Sequence, residues 1–424
     1  MTDSLLVILE DAVAGSLTRL PNARLRFEYD DAYRRRPGAT PLSLSMPTQV
    51  RTHSDQVVTP WLWGLLPDND AVLARWARQF HVSASSPFAL LGTAVGEDCA
   101  GAVRFGRPDQ VERLLSRLGD VAWLSEEEVA TRLRDLKEDS TTWLGRSFTG
   151  QFSLAGAQAK TALLYQDGRW GEPSGAAATT HILKPAVVGF DDHDLNEHLC
   201  LDAARKVGLV VARTRIMRFG DETAVVVDRY DRRVTDAGVV RVHQEDLCQA
   251  MSVHPARKYQ NEGGPGPVDV VRLFRDALPP REATDATRRF TDALIWNWLI
   301  AGTDAHAKNY SLLLASDQVR LAPLYDIASA LPYGQHEKKL RMAMKIGGDY
   351  SVFPMRNTWS KAAAELGLDT DTLVARVREL ASAAPGAFAD AAASEEVRAL
   401  DRKGPAKLVG AVAKRAARCG QLIA

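Results

Sequence analysis

The stretch ALIWNWLIAGTDAHAKNYSLLLA, residues 293–315, is where the reading of this chain begins. An apolar helical run ends at Gly302, a short polar loop follows, and SLLLA reads as a strand. Within the loop, Asp304 and Asn309 stand in the D-x-x-x-x-N spacing of kinase catalytic loops, where the Asp accepts the substrate hydroxyl proton and the Asn holds a metal ion. That chemistry needs one carboxylate at the attacking oxygen and one amide oxygen on the metal, both on a short rigid loop. Downstream, Pro323-Leu324-Tyr325-Asp326-Ile327 offers a second carboxylate where a kinase places its metal-binding Asp, although no DFG triplet is present.

Upstream, other features fit the same frame. Lys184 ends the strand-like THILK, and Glu197 follows 13 positions later on a helical segment, the order in which a phosphate-pairing Lys meets its orienting acid. Ser153-Leu154-Ala155-Gly156-Ala157-Gln158-Ala159-Lys160 is a small-residue turn just before the strand TALLY. It is either an ordinary glycine turn or a loop whose backbone N–H groups approach phosphates. Asp228-Arg229-Tyr230-Asp231-Arg232 follows the apolar AVVV, as a solvated turn or as a hinge whose backbone pairs with adenine.

The rest of the chain sets the architecture. Leu5–Leu9, residues 24–29, Thr161–Tyr165, Thr180–Leu183, Val210–Phe219 and Thr223–Asp228 read as strands. Val72–Phe80, Pro87–Leu91, Glu126–Leu136, residues 196–207, Gln244–Met251, Val268–Leu278, Arg281–Ala301 and the region from Thr358 onward read as helices. Strands first and helices later predict an α+β, two-lobed protein-kinase-like fold, with an N-terminal α/β subdomain and a helical C-terminal lobe. The expected divisions are 1–145, 146–245 (sheet-rich, nucleotide-binding) and 246–424 (helical, with the catalytic loop). The 424 residues are 46% hydrophobic and 25% charged, which excludes long disorder and rods. Lys+Arg and Asp+Glu are both 53, so the chain as a whole is no electrostatic glue for nucleic acid or membrane. The 4 Cys are widely spaced, no apolar run approaches a membrane span, and MTDSLLVILE lacks a basic start, so a cytoplasmic protein is expected.

Together these residues resemble the HipA family of bacterial serine/threonine kinase toxins. The resemblance rests on Phe27-Glu28-Tyr29, PLSLSMP (41–47), Leu65-Leu66-Pro67 and Asp98-Cys99-Ala100-Gly101-Ala102 in the first segment. In the remainder it rests on SLAGAQAKTALL, THILKP, NEHLCLDAARKVGL, DRYDRR, HQEDLCQAM, KYQNEGGPG, TDAHAKNYS and PLYDI. It implies ATP-dependent phosphorylation of a protein Ser or Thr, with Asp304 as base and Asn309 and Asp326 on Mg2+. His306 and Lys308 would line the same loop and Lys184 would contact ATP phosphates. Ala155, Gly156, Ala157, Gln158, Ala159 and Lys160 would cover them. Asp228, Arg229 and Tyr230 would form the adenine hinge, with Gln244 and Tyr325 near the nucleotide, and Ser153 would be the autophosphorylated serine. The resemblance also implies a HipB-like helix-turn-helix antitoxin, operator DNA reached through that antitoxin, and translation-related targets such as aminoacyl-tRNA synthetases. Ala159, Asp228, Tyr230 and Ala305 depart from frequent family residues without removing the base or a metal ligand. A small-molecule kinase on the same fold, or a repressor-complex subunit with secondary catalysis, are the alternatives.

The acid-free basic set Arg402, Lys403, Lys407, Lys414, Arg415 and Arg418 reads either as a solvated helix face or as phosphate contacts beside antitoxin-bound DNA. Lys338, Lys339, Arg341 and Lys345 are a second basic stretch open to both readings.

Overall fold

Period-two alternation sets the first sheet. Leu5, Val7 and Leu9 turn inward along Asp3–Leu9, as do Leu25, Phe27 and Tyr29 along Leu25–Tyr29. With Ala12–Arg19, Thr52–His53 and Arg104–Gly106 these strands make a five-stranded sheet, antiparallel at every pairing. The computed structural model describes residues 3–423 apart from 117, 118, 148, 237, 316, 317, 335, 354 and 356. The chain divides into two units: residues 1–185, 218–256 and 311–320 form the first, and 186–217, 257–310 and 321–424 the second.

In the first unit a larger sheet runs, in order, Glu222–Asp228, His181–Pro185, Thr161–Gln166, Arg169–Pro173 and Val121–Leu124, again antiparallel. Helix Glu126–Glu138 packs on it, opened by a reciprocal capping box between Ser125 and Glu128. One apolar cluster runs from Leu5, Phe27 and Trp61 through Trp76 and Phe105 to Trp143, Phe152 and Ala162. The segments expected as 1–145 and 146–245 therefore share a core, and the strand Val121–Leu124 of the earlier segment belongs to the later segment's sheet.

The second unit is helical. Helix Thr370–Ala392 buries Leu373, Val377, Leu380, Ala384 and Phe388, the three-to-four spacing of an amphipathic stripe. Helix Pro280–Ile300 is buried at every position from Phe290 to Ile300. Trp296 stacks on Phe388 and Trp298 meets Trp359 edge-on, with ring centroids 5.8 and 5.5 Å apart. No helix among the described residues is long and apolar enough to cross a membrane.

Two expectations fail locally. Gln244 lies in a strand, His243–Asp246, that pairs with Ser311–Leu314, and only Leu247–Ala250 is helical. Cross-strand pairing overrides a helical pattern too short to hold itself, and Asp246 caps the helical remnant through Gln249 N. Strand Thr214–Phe219 is shorter than the expected Val210–Phe219.

Candidate functional site

The second unit holds the loop quoted first. Helix Pro280–Ile300 must stop abruptly, and its last carbonyls need partners. Ala301 takes a left-handed φ of 53° and ends it. A Cβ on Gly302 would lie 2.3 Å from Asn297 Oδ1, so only glycine fits that close turn. The side chain of Arg415, 1% exposed, donates to Trp298 O at 2.6 Å, to Leu299 O at 2.9 Å and to Val352 O at 2.7 Å. Ser329 Oγ donates to Ile300 O at 2.5 Å and Ala330 N to Ala301 O at 3.0 Å. The loop thus leaves a helix end with satisfied carbonyls.

Within the loop, Asp304 and Asn309 are brought together. Asn309 Nδ2 donates to Asp304 O at 2.7 Å, so its amide oxygen is not the atom spent on that bond. His306 N donates to Asp304 O at 2.8 Å and Asn309 N to His306 O at 2.9 Å, closing two tight turns. The Asp304 carboxylate is 70% exposed. Tyr259 Oη donates to its Oδ1 at 2.5 Å, and Oδ2 accepts nothing among the described residues. The Tyr259 and His306 rings meet edge-on at 4.9 Å.

Tyr325 Oη donates to Lys308 O at 2.7 Å, which ties PLYDI to the same loop. Asp326 follows directly, in a left-handed conformation at φ 57°, a costly geometry for a non-glycine residue that surrounding structure must hold. Three residues on, helix His193–Lys206 fixes the chain. Asn196 Nδ2 donates to Ser329 O at 2.8 Å, and Asn196 Oδ1 accepts from Ser329 N at 2.9 Å. Among the described residues no three His, Cys, Asp or Glu side chains gather. Mg2+ does not require such a cage, since it commonly takes one or two carboxylates with substrate phosphates and water. The donor set of one amide oxygen and one carboxylate, Asn309 and Asp326, fits that chemistry.

The first unit holds the residues expected on the nucleotide. Lys184 is buried in strand His181–Pro185, opposite Val225. Ala155 to Ala159 form an irregular loop with Gly156 at φ 103°. Gln158 Nε2 is buried without a hydrogen-bond partner among the described residues, a donor that a phosphate oxygen would satisfy. Ser153 is fully buried: its Oγ donates to Leu65 O at 2.9 Å and its N to Asp98 O at 3.0 Å. Lys160 Nζ donates to Ala155 O at 2.7 Å.

In the segment expected as the hinge, the side chains have partners of their own. Asp228 faces His181 Nε2 at 3.2 Å. Tyr230 is hydrogen-bonded to Gln244 through its hydroxyl, and that pair stays beside the backbone expected to meet adenine. Arg229 points inward: it grips Asp231 with Nε and Nη2 at 3.0 and 2.7 Å, and reaches Thr179 Oγ1 at 2.8 Å and Cys99 O at 3.0 Å. Its backbone N–H goes to Thr180 O at 2.9 Å, and its carbonyl accepts from Arg232 N at 3.1 Å. Arg229, Arg232 and Arg241 all meet Asp98, a fully buried carboxylate. Burial alone would raise the Asp98 carboxyl, but Arg232, Arg241 and Arg229 hold it well below the usual carboxylate range.

Tyr259, Asn196, Ser329 and Asp98 carry no role legible in the sequence, although all but Ser329 stand in the family-like motifs. Their spacing carries no signal, because their partners are far along the chain. Arg415 contradicts both readings of the basic C-terminal set: it is a buried helix-end ligand. Arg402 pairs with Asp194 at 3.1 Å and Arg418 with Glu337. Lys403, Lys407 and Lys414 remain exposed. Lys338, Lys339, Arg341 and Lys345 are exposed as well.

Known proteins share this chain's sequence pattern and fold. Residues 5–106 match the model of the HipA N-terminal domain and residues 152–388 that of the HipA-like C-terminal domain. Y4mE of Sinorhizobium fredii is 34% identical over 380 residues, 89% of each chain. The serine/threonine-protein kinase toxin HipA of Shewanella oneidensis is 29% identical over 369 residues, 82% of this chain and 80% of that one. A chain from the solved Shewanella oneidensis complex of HipA, HipB and operator DNA matches with a TM-score of 0.83 and 25% identity, over 98% of this chain and 97% of that one. The fold is the expected two-lobed, kinase-like α+β fold. With its N- and C-terminal domain models and its full-length relatives in agreement, this chain belongs to the HipA family of toxin kinases.

Proposed function

We propose that this chain is a cytoplasmic, ATP-dependent serine/threonine protein kinase and the toxin of a toxin–antitoxin pair. Its substrate would be a translation-related protein such as an aminoacyl-tRNA synthetase, whose modification arrests growth. A HipB-like helix-turn-helix antitoxin would restrain it and bring it to operator DNA as a co-repressor, as the Shewanella complex suggests. Phosphorylation of Ser153 would silence it.

One observation carries the kinase reading: an open Asp304 carboxylate whose backbone oxygen orients the Asn309 amide five residues on. In the proposed reaction the substrate hydroxyl oxygen attacks the γ-phosphorus, the bond to the β-phosphate oxygen breaks, and Asp304 Oδ2 takes the hydroxyl proton. Tyr259, on Oδ1, fixes the carboxylate so that Oδ2 is the accepting oxygen. Mg2+, held by Asn309 Oδ1 and Asp326, would neutralise charge on the phosphates. Lys184 and the 155–160 loop would bind them, and the backbone of the Asp228–Tyr230 segment would meet adenine, with Gln244 nearby. His306 shapes the loop through Tyr259, and Lys308 and Tyr325 tie it to Asp326.

The test compares wild type with Asp304→Asn and Asp326→Asn. ATP-dependent autophosphorylation should fall by ~10²-fold or more in each variant, and growth arrest on expression should vanish with it. Equal phosphate incorporation in all three proteins would sink the assignment.

A further inference from the structure

Lys160 closes the small-residue loop, and its chemistry is spent inside the protein. Its side chain is 5% exposed. Nζ donates to Ala155 O at 2.7 Å, five residues back, and stands 4.9 Å from the centre of the Trp143 ring. A desolvated ammonium over an aromatic face is a strong form of cation–π contact. Trp143 is itself immobilised: it is fully buried, its Nε1 donates to Ser140 O at 2.9 Å, and Trp76 meets it edge-on at 6.4 Å. Gly156 completes the fit. A Cβ there would lie 2.6 Å from Lys160 Nζ, and the φ of 103° is one that a side chain rarely tolerates. The glycine therefore makes room for the lysine.

Two further bonds seat the loop on the segment Leu65–Asp68. Ser153 Oγ donates to Leu65 O at 2.9 Å, and Asp68 N donates to Gly156 O at 3.0 Å. All of these contacts lie within the first unit.

We propose that Lys160 is a positioning residue, a latch that uses Trp143 as its anvil and holds residues 153–160 closed, so that it sets ATP affinity and the accessibility of Ser153 without touching the reacting atoms. This deepens the kinase reading and rests on it. Lys160 ends the loop expected over the phosphates, and its cation reaches Ala155 O and the Trp143 ring. Ser153, with Oγ and N both engaged and no exposed surface, must leave its seat to be modified, and the latch opposes that departure.

The experiment uses the full chain as wild type, Lys160→Met and Trp143→Phe. Met keeps the apolar stem against Trp143 and loses both the charge and the hydrogen bond. Phe keeps an aromatic face and weakens the contact. Hydrogen exchange of the 153–160 amides should quicken about tenfold in Lys160→Met and less in Trp143→Phe, with exchange of the Asp3–Leu9 and Ala12–Arg19 strands unchanged. The Met variant's KM for ATP should rise about tenfold while kcat moves less than about threefold, and phosphate should enter Ser153 faster at saturating ATP. Unchanged loop exchange in Lys160→Met overturns the latch. A lost kcat with unchanged KM overturns it too, by making Lys160 a catalytic residue. The exchange arm needs no kinase activity. Absence of any phosphorylation in wild type therefore refutes the kinase reading, while the exchange result still decides on the latch.

Discussion

Asp98→Asn probes how the first unit is wired. Asp98 Oδ1 accepts from Arg232 at 2.9 Å and Arg241 at 3.1 Å. Its Oδ2 accepts from Thr179 Oγ1 at 2.7 Å, Thr179 N at 3.1 Å and Arg229 at 3.4 Å. Every neighbour is a donor, so an asparagine must turn an NH2 against at least two of them in either orientation. The buried cluster of Arg229, Arg232, Arg241, Asp98 and Asp231 would also lose one of its two negative charges. Breaking a buried pair by removing one partner costs ~3–5 kcal/mol, and that is the expected loss in the urea unfolding free energy of the transition that reports the first unit. Asp221→Asn, with the Asp221 side chain 97% exposed, is the control and should change stability by less than ~0.5 kcal/mol. The pH dependence follows from the sign of the shift. The folded-state pKa of Asp98 is depressed, so the ionised group contributes its stability above the ordinary value near 3.8 and loses it only as pH falls towards the depressed one. The deficit should be flat from about pH 5 to 8. A loss below ~1 kcal/mol, or one that varied across that range, would refute the argument that the cluster is a single buried electrostatic unit.

Tyr259→Phe removes the donor on Asp304 Oδ1 and should lower kcat about tenfold, or ~1.4 kcal/mol, with KM for ATP unchanged; steady-state phosphorylation kinetics check it, and an unchanged kcat would remove Tyr259 from the machinery. Glu245 carries the remaining prediction. Burial pushes its carboxyl up to about 8, while Ser43 Oγ, at 2.5 Å, and Leu44 N, at 2.8 Å, donate to it. Burial also pushes neighbouring His243 down to about 4. Between pH 6.5 and 8 the folded state therefore holds the Glu245 proton that the unfolded chain has released, and stability should fall with rising pH by up to ~1.4 kcal/mol per unit. Glu245→Gln should abolish that slope in denaturation curves taken at each pH, and an unaltered slope would show that Glu245 is ionised in the fold.

Local structure was legible in the residues alone. The Asp304 to Asn309 spacing, the small-residue run before TALLY, the strand-end Lys184, the Ser125 cap and the Pro87 helix start depend on neighbours a few positions away. A sequence displays such neighbours directly. What tertiary structure decided lies between residues far apart in the chain. Arg415 reads as one more surface cation until the helix it belongs to delivers it, buried, to the carbonyls of Trp298 and Leu299. The Arg229 side chain reads as one more surface cation until Asp98, 131 positions earlier, supplies a charge that holds it inward. Gln244 reads as helical until Leu313 pairs with it across a sheet. In each case the deciding term is the desolvation of a charge or a backbone group, and that cost is set by what the fold places around it, not by the residue's own type.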